Sequence, residues 1–400
     1  MNLALSDEQV LLREAARGAL SRHPTLEQAR GALDGEPIPD LWPTAVEAGW
    51  PGLLIDDAHG GAGLDAFDAM LVMWECGRVL ASVPLLGHLP ATAILGASQS
   101  APPDAAPGAA PDAAPGVARM LEALAGGGRR AAYLPARPPD DVEDGWTVDP
   151  ASGTARGALP AAEREPGGGD LRVSGHFHFV PDAPGADLLV GAAMLDGAPA
   201  PAAVAIDAHA AGVSVEGASR YDATRALGHV HLDGAPATPL QLPDEQELAS
   251  AWHLAQALIA AESLGAVERA LELSVAYAKE RHTFGRAIGS YQAVKHALVE
   301  VLRRLENGRS LIYYAGWARR GAPREFPLAA NAARSVAGGA LDHASRTMIS
   351  VHGGIGATWE HDAPLYFRRA QLSRRLLGGT AGATDRVAGE LLAQADAAAA

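Results

Sequence analysis

The chain has one cysteine, Cys76, in 400 residues. No internal disulfide can form, and such usage fits a reducing compartment. Cys76 falls in an apolar helical pattern, so a buried thiol is expected rather than a nucleophile. There is no basic tract either. Thirty-two Lys and Arg stand against 47 Asp and Glu, a formal charge of −15. That balance argues against nucleic acid or an anionic membrane as partner. The N-terminus lacks the basic region and apolar run of a signal peptide. No apolar stretch is long enough to span a bilayer. These absences together point to a cytoplasmic protein.

What is present is an Ala-, Gly- and Pro-rich but globular composition, long enough for two or three domains. Ser6-Asp7-Glu8-Gln9 reads as a capping box ahead of a helical stripe. Further helices are expected from about Pro39 to Ala48 and from Asp65 to Leu80. Between them His59-Gly60-Gly61-Ala62-Gly63-Leu64 lacks the strand-then-helix context of a phosphate loop and reads as a turn. The near-duplicate Ala-Pro-Pro-Asp-Ala-Ala-Pro-Gly within residues 99–116 reads as a surface insertion without chemistry.

From about Arg130 to Leu240 short apolar runs alternate with Gly, Pro and Asp, a small β-barrel or sandwich signature. His176 and His178 share one strand face there. No third ligand follows at a typical spacing, so no metal site is expected. From about Asp244 the chain is helical again. The expected order is a helical region at 1–126, a β region at 127–242 and a helix bundle at 243–400, an α+β chain.

Between two long helical segments lies Arg281-His-Thr-Phe-Gly-Arg-Ala-Ile-Gly-Ser-Tyr-Gln292. Arg281 and Phe284 are three apart and would share a face at a helix end, with Gly285 as the stop and Gly289 in a turn. An Arg beside an aromatic ring suits a flat, anionic ligand: the ring stacks on a base and the guanidinium holds phosphate. A second glycine-rich segment runs His352-Gly-Gly-Ile-Gly-Ala-Thr-Trp-Glu-His-Asp362.

The first segment resembles the adenine-side flavin motif of the acyl-CoA dehydrogenase family, R-x-x-F-G-x-x-I-x-x-x-Q, with Arg281, Phe284, Gly285, Ile288 and Gln292 at its fixed positions. The second resembles that family's H-G-G-I-G-x-T-W-E-H-D turn. The resemblance covers nearly the whole chain. It implies an N-terminal helical domain, a middle β domain and a C-terminal four-helix bundle. It also implies FAD, an acyl-CoA substrate and an electron-transfer flavoprotein. Arg281, Thr283, Phe284 and Gln292 would hold the ADP half of an FAD bound mainly to the neighbouring subunit. Gly353, Gly354 and Gly356 would let the ribityl and pyrophosphate approach. Glu360, His361 and Asp362 would cap and pair at a helix start. The implied reaction is α,β-dehydrogenation, in which a carboxylate removes the α-proton and the β-hydrogen leaves as hydride.

The family's two positions for that carboxylate align with Ala255 and Gly378, neither of which can take a proton. Glu262 shares a helix face with Ala255 but lies about 10 Å along the axis. It reads as a buried, paired structural residue and only a weak candidate base. Asp385 reads as a helix-surface residue. The flavin-ring contacts are altered too. Residues 133–140 replace T-E-P-x-x-G-S-D, Phe179-Val180-Pro181-Asp182 replaces W-I-T-N, and Ser350 replaces a Gln. Three readings follow. The chain is the partner subunit of a heteromeric dehydrogenase, as in some bacterial relatives acting on bulky acyl-CoA. Or it is a self-sufficient homo-oligomer with an atypical base. Or it is a flavin-free homologue.

Overall fold

The computed structural model describes residues 4–99, 113–135, 159–165, 170–198, 200–218, 221–244 and 246–399. Residues 100–112 of the 99–116 insertion lie outside these residues, as do positions 136–140 of the stretch aligned with the first flavin-ring motif, while residues 113–116 belong to a helix rather than to the insertion.

The N-terminal region is helical: α1 (Asp7–Leu20), α2 (Thr25–Leu33), α3 (Trp42–Glu47), α4 (Ala66–Arg78), α5 (Leu85–Gln99) and α6 (Ala113–Ala125). The capping box at Ser6 and Gln9 forms as the sequence predicts. A second one, Asp65 with Asp68, starts α4. The short α2 is absent from the sequence reading. In the glycine turn, Gly60 and Gly63 take left-handed φ values of 77° and 59°. Cys76 is buried in α4, and burial pushes its thiol well above the ordinary range, so it is inert.

The middle region holds β1 (Ala131–Tyr133), β2 (Ala161–Arg164), β3 (Leu171–Pro181), β4 (Leu188–Leu195), β5 (Ala202–Asp207), β6 (Val213–Gly217) and β7 (Leu227–Leu240). Pairings close a ring β4–β2–β3–β7–β5–β4, a barrel with β1 and β6 added at its rim. Strand β3 carries two apolar runs, 171–173 and 177–180, as one bulged strand, because Gly175 is a bend rather than a break.

The C-terminal region contains α7 (Gln246–Glu280), α8 (Gln292–Gly321), α9 (Phe326–His352), α10 (Ala363–Ser373) and α11 (Gly379–Ala399). Between α7 and α8 lies a two-stranded hairpin, β8 (His282–Thr283) and β9 (Arg286–Ala287). From Ala251 through Val267 every residue of α7 is buried, because α4, α5, α8 and α9 all pack on it. Such an all-round core helix fixes every group attached to its ends. No helix among the described residues is long and apolar enough to cross a membrane.

Candidate functional site

The hairpin after α7 corrects one expectation. Phe284 and Gly285 do not end a helix. They form its two-residue turn, at φ 51° and 78°. Two successive left-handed residues make a type I′ turn, whose twist matches that of the flanking strands. Phe284 is therefore thrown outward, 97 % exposed. Arg281 sits at the hairpin's base, where its carbonyl accepts the Ile288 amide at 2.8 Å. The Tyr291 hydroxyl donates to the Thr283 carbonyl at 3.1 Å, and the Arg286 guanidinium lies 4.2 Å above the Tyr291 ring. Gly289 is where the returning chain crosses α7, since a Cβ there would stand 2.8 Å from the Ala278 carbonyl oxygen. Gln292 opens α8 and is exposed. Arg281, Thr283, Phe284 and Gln292 thus share one outward corner.

The glycine turn follows α9. Gly353 adopts φ 64°, ψ −137°, a conformation open in practice only to glycine. A Cβ at Gly356 would stand 2.7 Å from the Ile349 carbonyl oxygen, so this glycine serves the turn's own packing. At Gly354 a Cβ would meet no atom of the chain within 4 Å. The segment beyond meets the capping and pairing expectation in part: Asp362 pairs but its side chain does not cap α10, and His361 bonds the first helical amide. Asp362 takes the Arg30 guanidinium, and the His361 Nδ1 accepts the Ala363 amide at 3.1 Å.

A stack of rings joins the two segments. His352 lies 4.4 Å from Tyr277 and 4.1 Å from His361. Tyr277 is one helical turn before Arg281, and its carbonyl accepts the Arg281 amide at 2.8 Å. Sequence reasoning passed over Tyr277, because an aromatic inside a long helix carries no signal of which neighbour it meets.

The two aligned base positions lie on segments that are bonded to each other through their neighbours. Ala255 is fully buried in α7. Gly378, at φ 80°, lies between α10 and α11. Beside them the Gln256 Nε2 donates to the Leu377 carbonyl at 2.9 Å. Arg334 of α9 donates to Gln256 Oε1 at 3.1 Å and to the Leu376 carbonyl at 3.1 Å. These bonds staple the α10–α11 loop onto α7. The cavity left between Trp252, Gln256, Gly378 and Arg386 measures about 10 Å³, room for about one water. His253 is near, but burial and then the Arg386 and Arg319 charges lower its pKa to about 3, so it is a feeble base.

Glu262 is 2 % exposed and paired, as its sequence context predicts. Arg225 Nη2 reaches both of its oxygens, at 2.5 and 2.6 Å, and Arg369 Nη1 lies at 2.8 Å. Asp222 completes the cluster, 3.1 Å from Arg369 Nε. Burial alone would raise the Glu262 pKa, but the two guanidinium groups outweigh it and hold the carboxyl below its ordinary value. It clamps the β region to the bundle and is a poor proton acceptor. Asp385 is exposed on α11.

Asp182 is the carboxylate the sequence reading undervalued. It follows β3 at φ 62°, and its Oδ2 accepts the Gly87 amide at the start of α5, at 2.8 Å. Burial raises its pKa to about 6 against the pull of Arg225 and that amide. It lines a cavity of about 330 Å³ together with Asp40, Ser82, Arg130 and Leu227.

The family models "Acyl-CoA dehydrogenase, N-terminal domain" and "Acyl-CoA dehydrogenase, C-terminal domain" match residues 6–98 and 249–392. Acyl-CoA dehydrogenase IpdE2 of Mycolicibacterium smegmatis is 30% identical over 378 residues, which cover 94% of this chain and 96% of that protein. A variant of the Tcur3481-Tcur3483 steroid ACAD superposes with TM-score 0.80 at 27% identity, over 98% of this chain and 99% of that one. The ChsE4-ChsE5 complex from Mycobacterium tuberculosis superposes with TM-score 0.80 at 23% identity, over 98% and 99%. The chain belongs to the acyl-CoA dehydrogenase family, whose members use FAD.

Proposed function

We propose that this chain is one subunit of a heteromeric acyl-CoA dehydrogenase and supplies the adenine and pyrophosphate half of the FAD site to a catalytic partner chain. The contrast between two places in the fold carries the reading. Phe284, Arg281, Thr283 and Gln292 project from one outward corner, as a grip on another chain's ligand requires. The chain's own two aligned base positions hold Ala255 and Gly378, neither of which can take a proton, and the cavity beside Gly378 measures about 10 Å³. The first half suits a nucleotide; the second offers no carboxylate at either aligned base position.

In this reading the Phe284 ring stacks on the adenine, and Arg281 holds phosphate as a planar fork. Thr283 and Gln292 supply hydroxyl and amide contacts. Gly353 and Gly354 keep the turn free of Cβ atoms where the pyrophosphate approaches, and Gly356 shapes that turn. FAD, when bound, is the hydride acceptor. The α-proton is taken by a carboxylate of the partner chain. The Tcur3481-Tcur3483 steroid ACAD is named for two components, which suits a paired assembly and a bulky acyl-CoA substrate. An electron-transfer flavoprotein is the onward acceptor, and the setting is cytoplasmic, with the one thiol buried.

Co-purification with a homologous chain encoded nearby tests this. The pair should retain FAD, and Arg281→Ala should lower that retention. Unchanged retention contradicts the assignment.

A second reading has one observation in its favour. Asp182 is a buried carboxylate with a pKa of about 6 on the wall of a 330 Å³ cavity, the range suited to a general base. A self-sufficient homo-oligomer using Asp182 would bind FAD and turn over acyl-CoA without a partner, and Asp182→Asn would abolish that turnover.

A further inference from the structure

The barrel carries four histidines that dehydrogenation leaves without a role. His176 and His178 lie on β3, and His229 and His231 on β7. The strands are antiparallel neighbours, with His176 opposite His231. Sequence spacing offers each pair separately, and strand pairing brings the second beside the first from about fifty residues away.

Local geometry has drawn two of the four together. Phe177 faces Val230 and Val180 faces Gly228, so His178 and Phe179 jointly face His229. Two residues against one is a β-bulge, a device that re-aims side chains. Phe179 sits in it at φ 54°, an outlier for a bulky residue. The His229 ring is held 5.1 Å from that of His178 and 4.8 Å from that of Phe179. As a result the two Nδ1 atoms are 3.0 Å apart. Two imidazole nitrogens on one ion, each at about 2.0–2.1 Å, stand about 3.0–3.4 Å from each other. The pair therefore already has the span of a chelate.

The surroundings suit a cation. The His176 ring is 5.1 Å from that of His178, and His176 is exposed and able to turn. His231 stacks on His176 at 6.2 Å. The exposed Glu216 of β6 stands opposite His229 and brings negative charge. Among the described residues no three metal-ligating side chains converge at present, so a third ligand has to swing in.

We propose that this face binds one divalent late transition-metal ion, of the Zn²⁺ or Cu²⁺ class, with His178 and His229 as the preformed ligands and His176 as the third. Imidazole selects such ions over Mg²⁺ and Ca²⁺, which take oxygen ligands. The ion replaces the proton the two rings share, and it pins the bulge and the end of β3.

The test is a calorimetric titration of Zn²⁺ into the full-length, chelator-treated chain, free of any histidine tag. One equivalent per chain should be taken up saturably, with no uptake of Mg²⁺. The double variant His178→Ala, His229→Ala should lose the uptake, and His176→Ala should weaken it while keeping the fold. Should the double variant fail to fold, His176→Ala at its exposed position carries the test. No saturable Zn²⁺ uptake, or uptake unchanged by these substitutions, overturns the proposal.

Discussion

The Tyr277 ring lies 4.4 Å from that of His352, and through this contact the end of α7 and the end of α9 form one corner. Arg281 follows one residue of the pair by a helical turn, and Gly353 follows the other directly. The two segments that sequence reading assigns to the same nucleotide are thus held in register by a contact between the buried His352 ring and the half-buried Tyr277 ring, before any ligand arrives.

Phe284→Ala should leave the chain's own stability within about 0.5 kcal/mol, because the ring touches little of its own chain. It should lower FAD retention by the assembled pair about tenfold, since base–aromatic stacking contributes about 1–3 kcal/mol. Urea unfolding and flavin release after gel filtration measure the two effects.

Gly353→Ala tests the turn. No atom of the chain would meet the new Cβ, so the cost is conformational, about 1–3 kcal/mol for a non-glycine residue at φ 64°, ψ −137°. FAD retention should fall with it. Gly354→Ala, in open space of this chain, should weaken FAD retention with little change in unfolding.

Glu262→Gln should destabilise the chain by about 3 kcal/mol, because Arg225 and Arg369 would lose the buried carboxylate that pairs with both. A structural Glu262 predicts that pairs still folded turn over at the parental rate. Loss of turnover without loss of stability would make it a base after all.

His88 makes the fold acid-sensitive. Its Nε2 donates to the Pro51 carbonyl at 3.1 Å and its Nδ1 accepts the Ala131 amide at 3.2 Å, so it is held neutral. Burial lowers its pKa from 6.5 to about 4. Below pH 6.5 the unfolded chain takes a proton that the folded chain refuses until about pH 4. Stability is therefore full above pH 6.5 and declines as pH falls to 4, by about 2 kcal/mol from this group at pH 5. Buried His253 acts in the same direction. Unfolding curves at pH 7.5 and 5 should diverge less in His88→Gln.

Much of this was legible in the sequence for identifiable reasons. The capping box at Ser6, the long helical segment ahead of Arg281 and the Gly-punctuated strands are local signals, and they appear in the fold. The pairing of Glu262 followed from burial of a charge, which demands partners, though only the fold could name Arg225 and Arg369. Illegible were the features set by distant chain. The Phe284-Gly285 hairpin reads as a helix end in the sequence, because a Phe in the left-handed region has no propensity signal. The Tyr277–His352 contact, the Gln256 staple and the second histidine pair all depend on which elements become neighbours.

The most direct measurement is the absorbance spectrum of the purified chain, alone and after co-expression with its homologous neighbour. The account predicts a colourless protein alone, and a yellow pair that acyl-CoA bleaches and that Phe284→Ala renders pale. A lone chain that is yellow and bleached by acyl-CoA would contradict it.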